Sequence, residues 1–183
     1  MRIITGKLGG RQFQASHGHK IHPMSDKMRG ALFNVLGDIQ GLSVLDAFAG
    51  SGALSFEAIS RGAASAIAIE IEKSAHSQIQ KNIKDLQIED EVKAIRANAG
   101  SWSDNNPDAQ FDLVLLDPPY DDLSHELLSK LINHTKSQGL VALSYPGNKQ
   151  PPTFSGLELI TAKLYGDSQL IFYRKNNGGR ERT

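Results

Sequence analysis

Short apolar runs alternate with stretches of helical periodicity over most of the chain. The runs lie at residues 43–47, 66–71, 92–96, 111–116, 139–144, 157–165 and 168–174. This alternation predicts an α/β fold with a mainly parallel, seven-stranded sheet and helices on both faces, because parallel strands are joined by crossover helices. The run at 111–116 is almost entirely apolar, which favours a central strand. The last two runs are separated by two residues and predict a terminal antiparallel hairpin.

The first forty residues follow a different pattern. Residues 2–14 alternate around a pair of glycines, which predicts a short β-hairpin. A helix follows, with Ser25 or Asp26 as its N-cap and Gly37 at its end. Its apolar positions form one stripe, made of Met28, Ala31, Leu32, Val35 and Leu36. The N-terminal part is therefore predicted to be an extension of the sheet domain.

The size and composition indicate one soluble domain with short appendages. The 183 residues are 39% hydrophobic and 22% charged, which is enough apolar material for a core. We divide the chain into an extension over residues 1–40, a catalytic α/β domain over 41–175 and a basic tail over 176–183. We expect a monomer. We also expect it to be cytoplasmic, because no secretory signal or membrane span is visible.

Metal and thiol chemistry have little support. The chain has no cysteine, which excludes disulfides, thiolate metal sites and cysteine nucleophiles. Three histidines, His17, His19 and His22, occur in one loop-like segment, but no acidic residue lies close to them. We interpret them as solvated or facing a partner, and we expect no metal.

The net charge of zero is an average over unequal parts. Residues 1–30 carry six basic groups against one acidic group, a net +5, and residues 174–183 carry four against one, a net +3. The remaining residues, 31–173, carry ten basic groups against eighteen acidic ones, a net −8. Basic termini suit a polyanionic partner such as RNA, because lysine and arginine release counterions from phosphates. The alternative is a solvated N-terminus and a frayed tail.

A Gly-x-Gly turn follows the first strand of the α/β domain. Gly50 and Gly52 lie between that strand and the next helix, where ligands bind in open α/β sheets. Ser55 replaces the third glycine of a dinucleotide fingerprint, and the acidic Asp46 ends the strand. An acid there repels a pyrophosphate but attracts the ammonium or sulfonium group of S-adenosylmethionine. The charge pattern therefore favours S-adenosylmethionine as the cofactor.

Two further strand ends extend this cofactor site. Glu70 ends the second strand and is placed to accept both ribose hydroxyls. Asn98 and Ala99 follow the third strand and can meet the adenine edge. The predicted cofactor-binding residues are Asp46, Phe48, Gly50, Gly52, Glu70, Ile71, Asn98 and Ala99.

The fourth strand is followed by Asp117-Pro118-Pro119-Tyr120. The Asp117 carboxylate and the Pro118 carbonyl can each accept a hydrogen bond from the exocyclic amine of a nucleobase, which is otherwise a poor nucleophile. Tyr120 can stack on the base. Rigid alignment is expected to contribute more than base catalysis, so Asp117, Pro118 and Tyr120 are the predicted catalytic residues. The alternative is a rigid turn without chemistry.

These motifs together resemble the class I S-adenosylmethionine-dependent methyltransferases. More closely, the chain resembles the RsmD family, bacterial methyltransferases that modify the N2 amine of a guanine in 16S ribosomal RNA. The resemblance covers nearly the whole chain and rests on Arg2-Ile3-Ile4 with Gly10-Arg11, Ser25-Asp26-Lys27-Met28-Arg29 with Leu32-Phe33-Asn34, Asp46-Ala47-Phe48-Ala49-Gly50-Ser51-Gly52-Ala53-Leu54 with Glu57-Ala58 and Ser60-Arg61-Gly62-Ala63, and Asp117-Pro118-Pro119-Tyr120.

The resemblance implies a Rossmann-like class I fold, a flipped-out guanine, and a partner that is ribosomal RNA, the small subunit or an assembly intermediate. It also implies that the basic hairpin and first helix grip RNA, with contacts at Arg2, Lys7, Arg11, Lys27 and Arg29. Two positions depart from the family, since Gly30 stands where relatives usually carry Glu and His22 where they often carry Arg. Both departures concern RNA docking.

Two other functions stay open. The Asp-Pro-Pro-Tyr motif also resembles adenine-N6 methyltransferases acting on DNA, although 183 residues leave little room for a DNA-reading domain. A non-catalytic RNA-binding or ribosome-assembly protein could keep the same fold. Identification of the methylated nucleoside distinguishes a guanine-N2 from an adenine-N6 methyltransferase. Binding of S-adenosylmethionine distinguishes a methyltransferase from a non-catalytic RNA-binding protein.

Overall fold

The computed structural model describes residues 1–15 and 24–177. Within these residues, seven strands form one sheet with five α-helices around it. In chain order the elements are α1 (Asp26–Leu36), β1 (Ser43–Asp46), α2 (Ala53–Ser60), β2 (Ser65–Glu70), α3 (Lys73–Leu86), β3 (Val92–Arg96), α4 (Ala99–Asn105), β4 (Phe111–Leu116), α5 (His125–Ile132), β5 (Thr135–Pro146), β6 (Leu157–Tyr165) and β7 (Ser168–Lys175).

The strand order is β3-β2-β1-β4-β5-β7-β6. The first five strands are parallel, and β7 pairs antiparallel with both β5 and β6. The predicted α/β class and the terminal antiparallel hairpin are confirmed. Because the order reverses between β1 and β4, a crevice is expected where these two strands end. We call the edge at which β1 to β5 end the carboxyl edge, and the opposite edge the amino edge.

The sheet carries one core on each face, which explains its nearly continuous apolar strands. Leu113 and Leu115 of β4 pack with α1, α2 and α3 on one face. Val114 and Leu116 of the same strand pack with α4 and α5 on the other. Successive side chains of a strand point to opposite faces, so both sets of positions must be apolar.

The first helix has the predicted ends but a different buried face. The Ser25 hydroxyl accepts a hydrogen bond from the Met28 amide at 3.2 Å, and Gly37 follows the last turn. The buried side chains are Met28, Arg29, Leu32 and Phe33. Ala31, Val35 and Leu36 are only half-buried. Val35 and Leu36 nevertheless pack against the core, as predicted. Arg29 and Phe33 face inward as well, which the predicted stripe did not include.

The N-terminal hairpin forms only one antiparallel bridge, between Arg2 and Gln12. The next residues cannot continue the pairing, because the Ile4 and Thr5 amides donate instead to the Glu57 carboxylate on α2, at 2.8 and 3.2 Å. Met1 and Phe13 exchange backbone hydrogen bonds on one side of this bridge, and the Ile3 amide donates to the Arg11 carbonyl on the other. The predicted short hairpin is thus present, with a single bridge, and it is fastened to the sheet domain.

The fifth strand begins four residues before the predicted start at Gly139. It runs from Thr135 to Pro146 and includes Gln138 with a φ of 61°. The pairing register with β4 shifts between Phe111 and Leu113, which accommodates this irregular stretch.

Several predictions fall outside the described residues. They concern His17, His19 and His22 in the segment 16–23, and the tail from Gly178 onward. In the described ranges, no helix is long and apolar enough to cross a bilayer. The same ranges contain no group of three histidines or acidic residues that could hold a metal ion.

Candidate active site

The carboxyl edge brings together acidic side chains from three parallel strands. Asp46 is the last residue of β1, Glu70 is the last of β2, and Asp117 directly follows β4. Burial raises the pKa of Asp46 most, and the negative charges of Asp117 and Glu70 raise it further, so both of these groups lie near enough to act on Asp46. Such a concentration of acid disfavours a pyrophosphate and favours a cationic ligand.

Asp46 has the environment of a ligand-binding carboxylate. Its side chain is fully buried, and its Oδ2 accepts a hydrogen bond from the Ser55 hydroxyl at 2.8 Å. Its Oδ1 has no partner within the part of the chain that the structure describes. Burial raises the pKa of Asp46 to about 7. An unpartnered buried oxygen is costly, so this atom fits the ammonium group of a bound S-adenosylmethionine.

The glycine turn shapes the wall beside Asp46. Gly50 and Gly52 have φ values of 54° and 82°, in the left-handed region. A Cβ on Gly52 would lie 2.6 Å from the Phe56 ring, so the turn requires glycine there for space as well as for conformation. Gly52 begins α2, and no side chain caps that end of the helix. Asp46 already interacts with the Ser55 amide at this end of the helix, which leaves the amides before Ser55 for a ligand carboxylate.

Glu70 connects the glycine turn to the second strand. Its Oε2 accepts from the Gly50 amide and its Oε1 from the Glu72 amide, both at 2.8 Å. Each carboxylate oxygen has a second lone pair, so Glu70 can still accept hydrogen bonds from ribose hydroxyls. Ile71 beside it is 57% exposed, which leaves an apolar surface next to the acidic one.

The other predicted cofactor residues have different roles in the fold. The Asn98 Oδ1 caps α4 by accepting from the Ser101 amide at 3.1 Å. One lone pair of Oδ1 and the side-chain amide nitrogen remain available, so an adenine contact through Asn98 stays a prediction. Ala99 is buried and Phe48 is half-buried.

The Asp117-to-Tyr120 segment follows β4 at the carboxyl edge, beside the end of β1. Asp117 is half-buried, and burial raises its pKa to about 6. Pro118 is buried and Pro119 exposed. Tyr120 starts a single 3₁₀ turn, and its side chain is 36% exposed. A hydrogen-bond acceptor and an open aromatic ring therefore lie in one short loop.

Sequence reasoning missed Ser144 on β5. Its hydroxyl lies 2.7 Å from the Tyr120 hydroxyl, and the residue is only 3% exposed. The sequence carried a weak signal, because Ser144 is a polar residue at the end of an otherwise apolar run.

Arg29 was wrongly predicted to contact RNA. Its guanidinium is fully buried, where Nη2 donates to the Arg2 carbonyl at 2.7 Å and to Asp26 Oδ1 at 2.8 Å. Its Nε lies 3.8 Å from Glu57 Oε2. The positive charge of Arg29 is therefore paired inside the protein and is inaccessible to an RNA phosphate.

The other predicted RNA contacts lie at two ends of the molecule. Lys7 pairs with Glu91, directly before β3, and so lies at the amino edge. Arg11 donates to the Asp85 and Leu86 carbonyls at the end of α3, which is also near that edge. Both are on the side opposite Asp117, so the hairpin tip is a poor candidate for gripping RNA at the catalytic crevice.

Arg2 and Lys27 are exposed and lie closer to the carboxyl edge. Arg29 contacts Glu57 and Asn34 contacts Arg61, so α1 runs beside α2 in the same direction. Since α2 runs from the carboxyl to the amino edge, α1 begins on the carboxyl side. These two residues therefore stay in the predicted RNA surface.

Comparison with known proteins places this chain in a family. The family model described as "Conserved hypothetical protein 95" matches residues 1–174. Ribosomal RNA small subunit methyltransferase D of Buchnera aphidicola is 39% identical over 133 residues, which are 72% of this chain and 67% of that protein. The protein of the same name from Haemophilus influenzae is 31% identical over 180 residues, 95% of this chain and 92% of that one.

The solved structures agree with the fold expected from the motifs. The yhhF protein of Escherichia coli superposes with a TM-score of 0.83 at 29% identity, covering 97% of this chain and 98% of that one. The resemblance to a Rossmann-like class I methyltransferase fold is thereby confirmed. The chain belongs to the family of conserved hypothetical protein 95, the RsmD family that its motifs resemble.

Proposed function

We propose that this protein transfers a methyl group from S-adenosylmethionine to the exocyclic N2 amine of a guanine in small-subunit ribosomal RNA. The observation that carries the proposal is the arrangement of Asp46 and Asp117 at neighbouring strand ends, with Tyr120 open to solvent beside them. The names of the relatives support ribosomal RNA as the substrate.

Asp46, Glu70 and the glycine turn would hold the cofactor. The free Asp46 Oδ1 fits the ammonium group, the start of α2 fits the carboxylate, and Glu70 fits the ribose hydroxyls. Bound S-adenosylmethionine supplies an electrophilic methyl group whose leaving sulfide needs no acid. No general acid is therefore required of the chain.

Asp117 and Pro118 would prepare the amine. The Asp117 carboxylate and the Pro118 carbonyl each accept one hydrogen bond from it, which draws the nitrogen toward tetrahedral geometry and directs its lone pair at the methyl donor. When the nitrogen takes the methyl group it becomes cationic, and the Asp117 carboxylate is placed to accept the proton that it then loses. Both acceptors belong to a proline-stiffened loop, so they are ordered before the substrate arrives. The Tyr120 ring supplies a stacking surface for the flipped base, worth about 1–3 kcal/mol.

Nucleoside analysis tests this function most directly. Ribosomal RNA from a strain lacking the gene is digested and compared with RNA from the same strain carrying the wild-type gene. Loss of N2-methylguanosine from small-subunit RNA, restored by the gene and mapped by primer extension, is the expected result.

Other outcomes of that analysis contradict the proposal. Loss of N6-methyladenine from nucleic acid would favour the adenine-N6 alternative. An unchanged nucleoside profile, together with no heat on titration of the protein with S-adenosylmethionine, would favour a non-catalytic RNA-binding protein.

A further inference from the structure

Ser144 lies on β5, next to the loop formed by residues 117–120. Leu116 of β4 is paired with Leu143 of β5, and Asp117 and Ser144 are the residues that follow this last pair. Alternation along β5 places Ser144 on the same face as Ala142, which belongs to the core under α1, α2 and α3. Ser144 therefore lies beside Asp117 and below the loop.

The Ser144 hydroxyl interacts with both functional side chains of that loop. It lies 2.7 Å from the Tyr120 hydroxyl. Ser144 also holds the pKa of Asp117 lower than burial alone would, as a hydroxyl directed at that carboxylate does. A hydroxyl has one proton to donate and two lone pairs, so it can accept from Tyr120 while donating to Asp117.

Ser144 itself is too buried to touch an RNA substrate. It is 3% exposed, whereas Tyr120 is 36% exposed. Because the Tyr120 hydroxyl is bound to the strand, the side chain presents its ring to solvent and keeps its phenol oxygen away from the base. A buried hydrogen bond of this kind restricts both the ring and the carboxylate to one arrangement.

We propose that Ser144 is a positioning residue that fixes the Tyr120 ring and the Asp117 carboxylate relative to each other, so that a stacked nucleobase presents its amine to the carboxylate. This inference rests on the proposed methyltransferase function. It assigns a role to a residue of β5 that lies outside the Asp-Pro-Pro-Tyr motif.

The test is the Ser144→Ala variant, assayed for methyl transfer to small-subunit RNA. We expect kcat to fall by about 10- to 100-fold, because misplacing reacting groups by a fraction of an ångström to 1 Å has effects of this order. The dissociation constant for S-adenosylmethionine, measured by calorimetry, is expected to stay within about twofold of wild type, since Asp46 and Glu70 are untouched.

The pH profile distinguishes positioning from a loss of stability. Wild-type kcat is expected to fall as the pH drops through about 6, where Asp117 becomes protonated. In Ser144→Ala this midpoint moves to higher pH, because a hydrogen bond to the carboxylate is lost. The other titratable groups around Asp117 are Asp46 from β1, Glu70 from β2 and Tyr120 from its own loop, and none of them is changed.

A second variant, Tyr120→Phe, tests the same hydrogen bond without changing Ser144, in case Ser144→Ala folds poorly. Tyr120→Phe retains the ring but removes the hydroxyl that Ser144 binds, so it is expected to lower kcat as well. The double variant is then expected to be less impaired than the product of the two single effects, because both remove the same hydrogen bond.

Ser103→Ala is the matched control. Ser103 is equally buried, at 5% exposure, and its hydroxyl lies 2.7 Å from His134 Nε2, away from the Asp117 loop. Its kcat and pH midpoint are expected to equal those of wild type. The inference about Ser144 would be overturned if Ser144→Ala had the kcat of wild type, or if the loss of kcat in the double variant equalled the product of the two single losses. Neither result would contradict the proposed function. Absence of methyl transfer by the wild-type protein would overturn the proposed function and the inference with it.

Discussion

At the scale of single residues, the candidate active site is a group of carboxyl groups held in an unfavourable environment. Asp46 and Asp117 both lose hydration on folding, and each raises the cost of ionising its neighbour. A ligand with a positive charge relieves that cost. The two residues that make the folded protein less stable are thus the ones expected to bind ligands, Asp46 the cofactor and Asp117 the substrate amine.

The first prediction concerns the stability of the ligand-free protein. The pKa of Asp46 is about 7 in the folded protein and near 4 in the unfolded chain, so the folded protein holds a proton that the unfolded chain releases between these pH values. The free energy of unfolding therefore falls as the pH rises through this range. Asp46→Asn removes that loss and is expected to raise stability at pH 8 by about 1–3 kcal/mol, while abolishing cofactor binding.

Urea unfolding at pH 5 and pH 8 measures the effect, with S-adenosylmethionine calorimetry beside it. Asp108→Asn, which changes an exposed acid, is the control and should leave both quantities unchanged. An Asp46→Asn protein that is no more stable than wild type at pH 8, or that binds the cofactor normally, would show that this carboxyl is not held for a cation.

The second prediction separates catalysis from binding. Asp117→Ala removes an acceptor of the substrate amine but no cofactor contact, so methyl transfer is expected to fall by at least about 100-fold. Cofactor affinity is expected to remain. Single-turnover kinetics and calorimetry measure the two quantities, and the exposed neighbour Asp121→Ala serves as the control. Full methylation by Asp117→Ala would contradict the assigned mechanism.

At the scale of elements, the N-terminal segment is fastened to α2 by one buried acid. Glu57 is fully buried and accepts from the Ile4 and Thr5 amides and from Arg61 Nε. Arg29 of α1 lies 3.8 Å from the same carboxylate. Glu57 thus joins the N-terminal segment to α2 by hydrogen bonds and to α1 by an ion pair.

The third prediction follows from this arrangement. Glu57→Ala leaves the Ile4 and Thr5 amides and Arg61 Nε without their acceptor and removes a carboxylate that lies 3.8 Å from the buried Arg29 Nε. It is therefore expected to destabilise the protein by about 3–5 kcal/mol. Glu91→Ala breaks the exposed pair with Lys7 and is expected to cost less than about 1 kcal/mol. Urea unfolding of both variants provides the comparison. Equal losses would show that the buried acid does not fasten the segment.

The fourth prediction concerns the turn before α2. Gly52→Ala is expected to cost more than Gly156→Ala, because both glycines have a positive φ but only Gly52 would place a Cβ against the Phe56 ring. The left-handed conformation alone costs about 1–2 kcal/mol, and the clash adds to it. The difference in Tm between the two variants, measured by thermal unfolding, gives the effect of the contact with Phe56. Equal destabilisation would mean that space in the turn is not restricted.

At the scale of the whole molecule, the basic residues of the N-terminal part divide between the two edges of the sheet. Arg29 is buried, Lys7 and Arg11 are held at the amino edge, and Arg2 and Lys27 lie toward the carboxyl edge. An RNA whose target base enters beside Asp117 is expected to contact Arg2 and Lys27 rather than Lys7 and Arg11.

The fifth prediction is the resulting difference in RNA affinity. Lys27→Ala is expected to weaken binding of small-subunit RNA and to reduce the slope of log affinity against log salt by about 1. Lys7→Ala is expected to leave both unchanged. Fluorescence anisotropy over a range of salt concentrations measures the slope. A larger effect of Lys7→Ala would place RNA at the amino edge instead.

The sequence predicted most of the fold because strand positions depend on local apolar runs. Asp46, Glu70 and Asp117 could be assigned to one edge, since the carboxyl ends of parallel strands meet there. The burial of Arg29 could not be predicted, because it depends on Glu57, which is distant in sequence and supplies no local pattern. Ser144 was missed for the same reason, since its role depends on the pairing of β4 with β5.

A crystal structure of the wild-type protein with bound S-adenosylmethionine is the most direct test of the central claim that one crevice holds both the methyl donor and the acceptors of the amine. We expect the ammonium group on Asp46 and the methyl group facing the Asp117 carboxylate and the Pro118 carbonyl. A methyl group directed away from residues 117–120 would contradict the account.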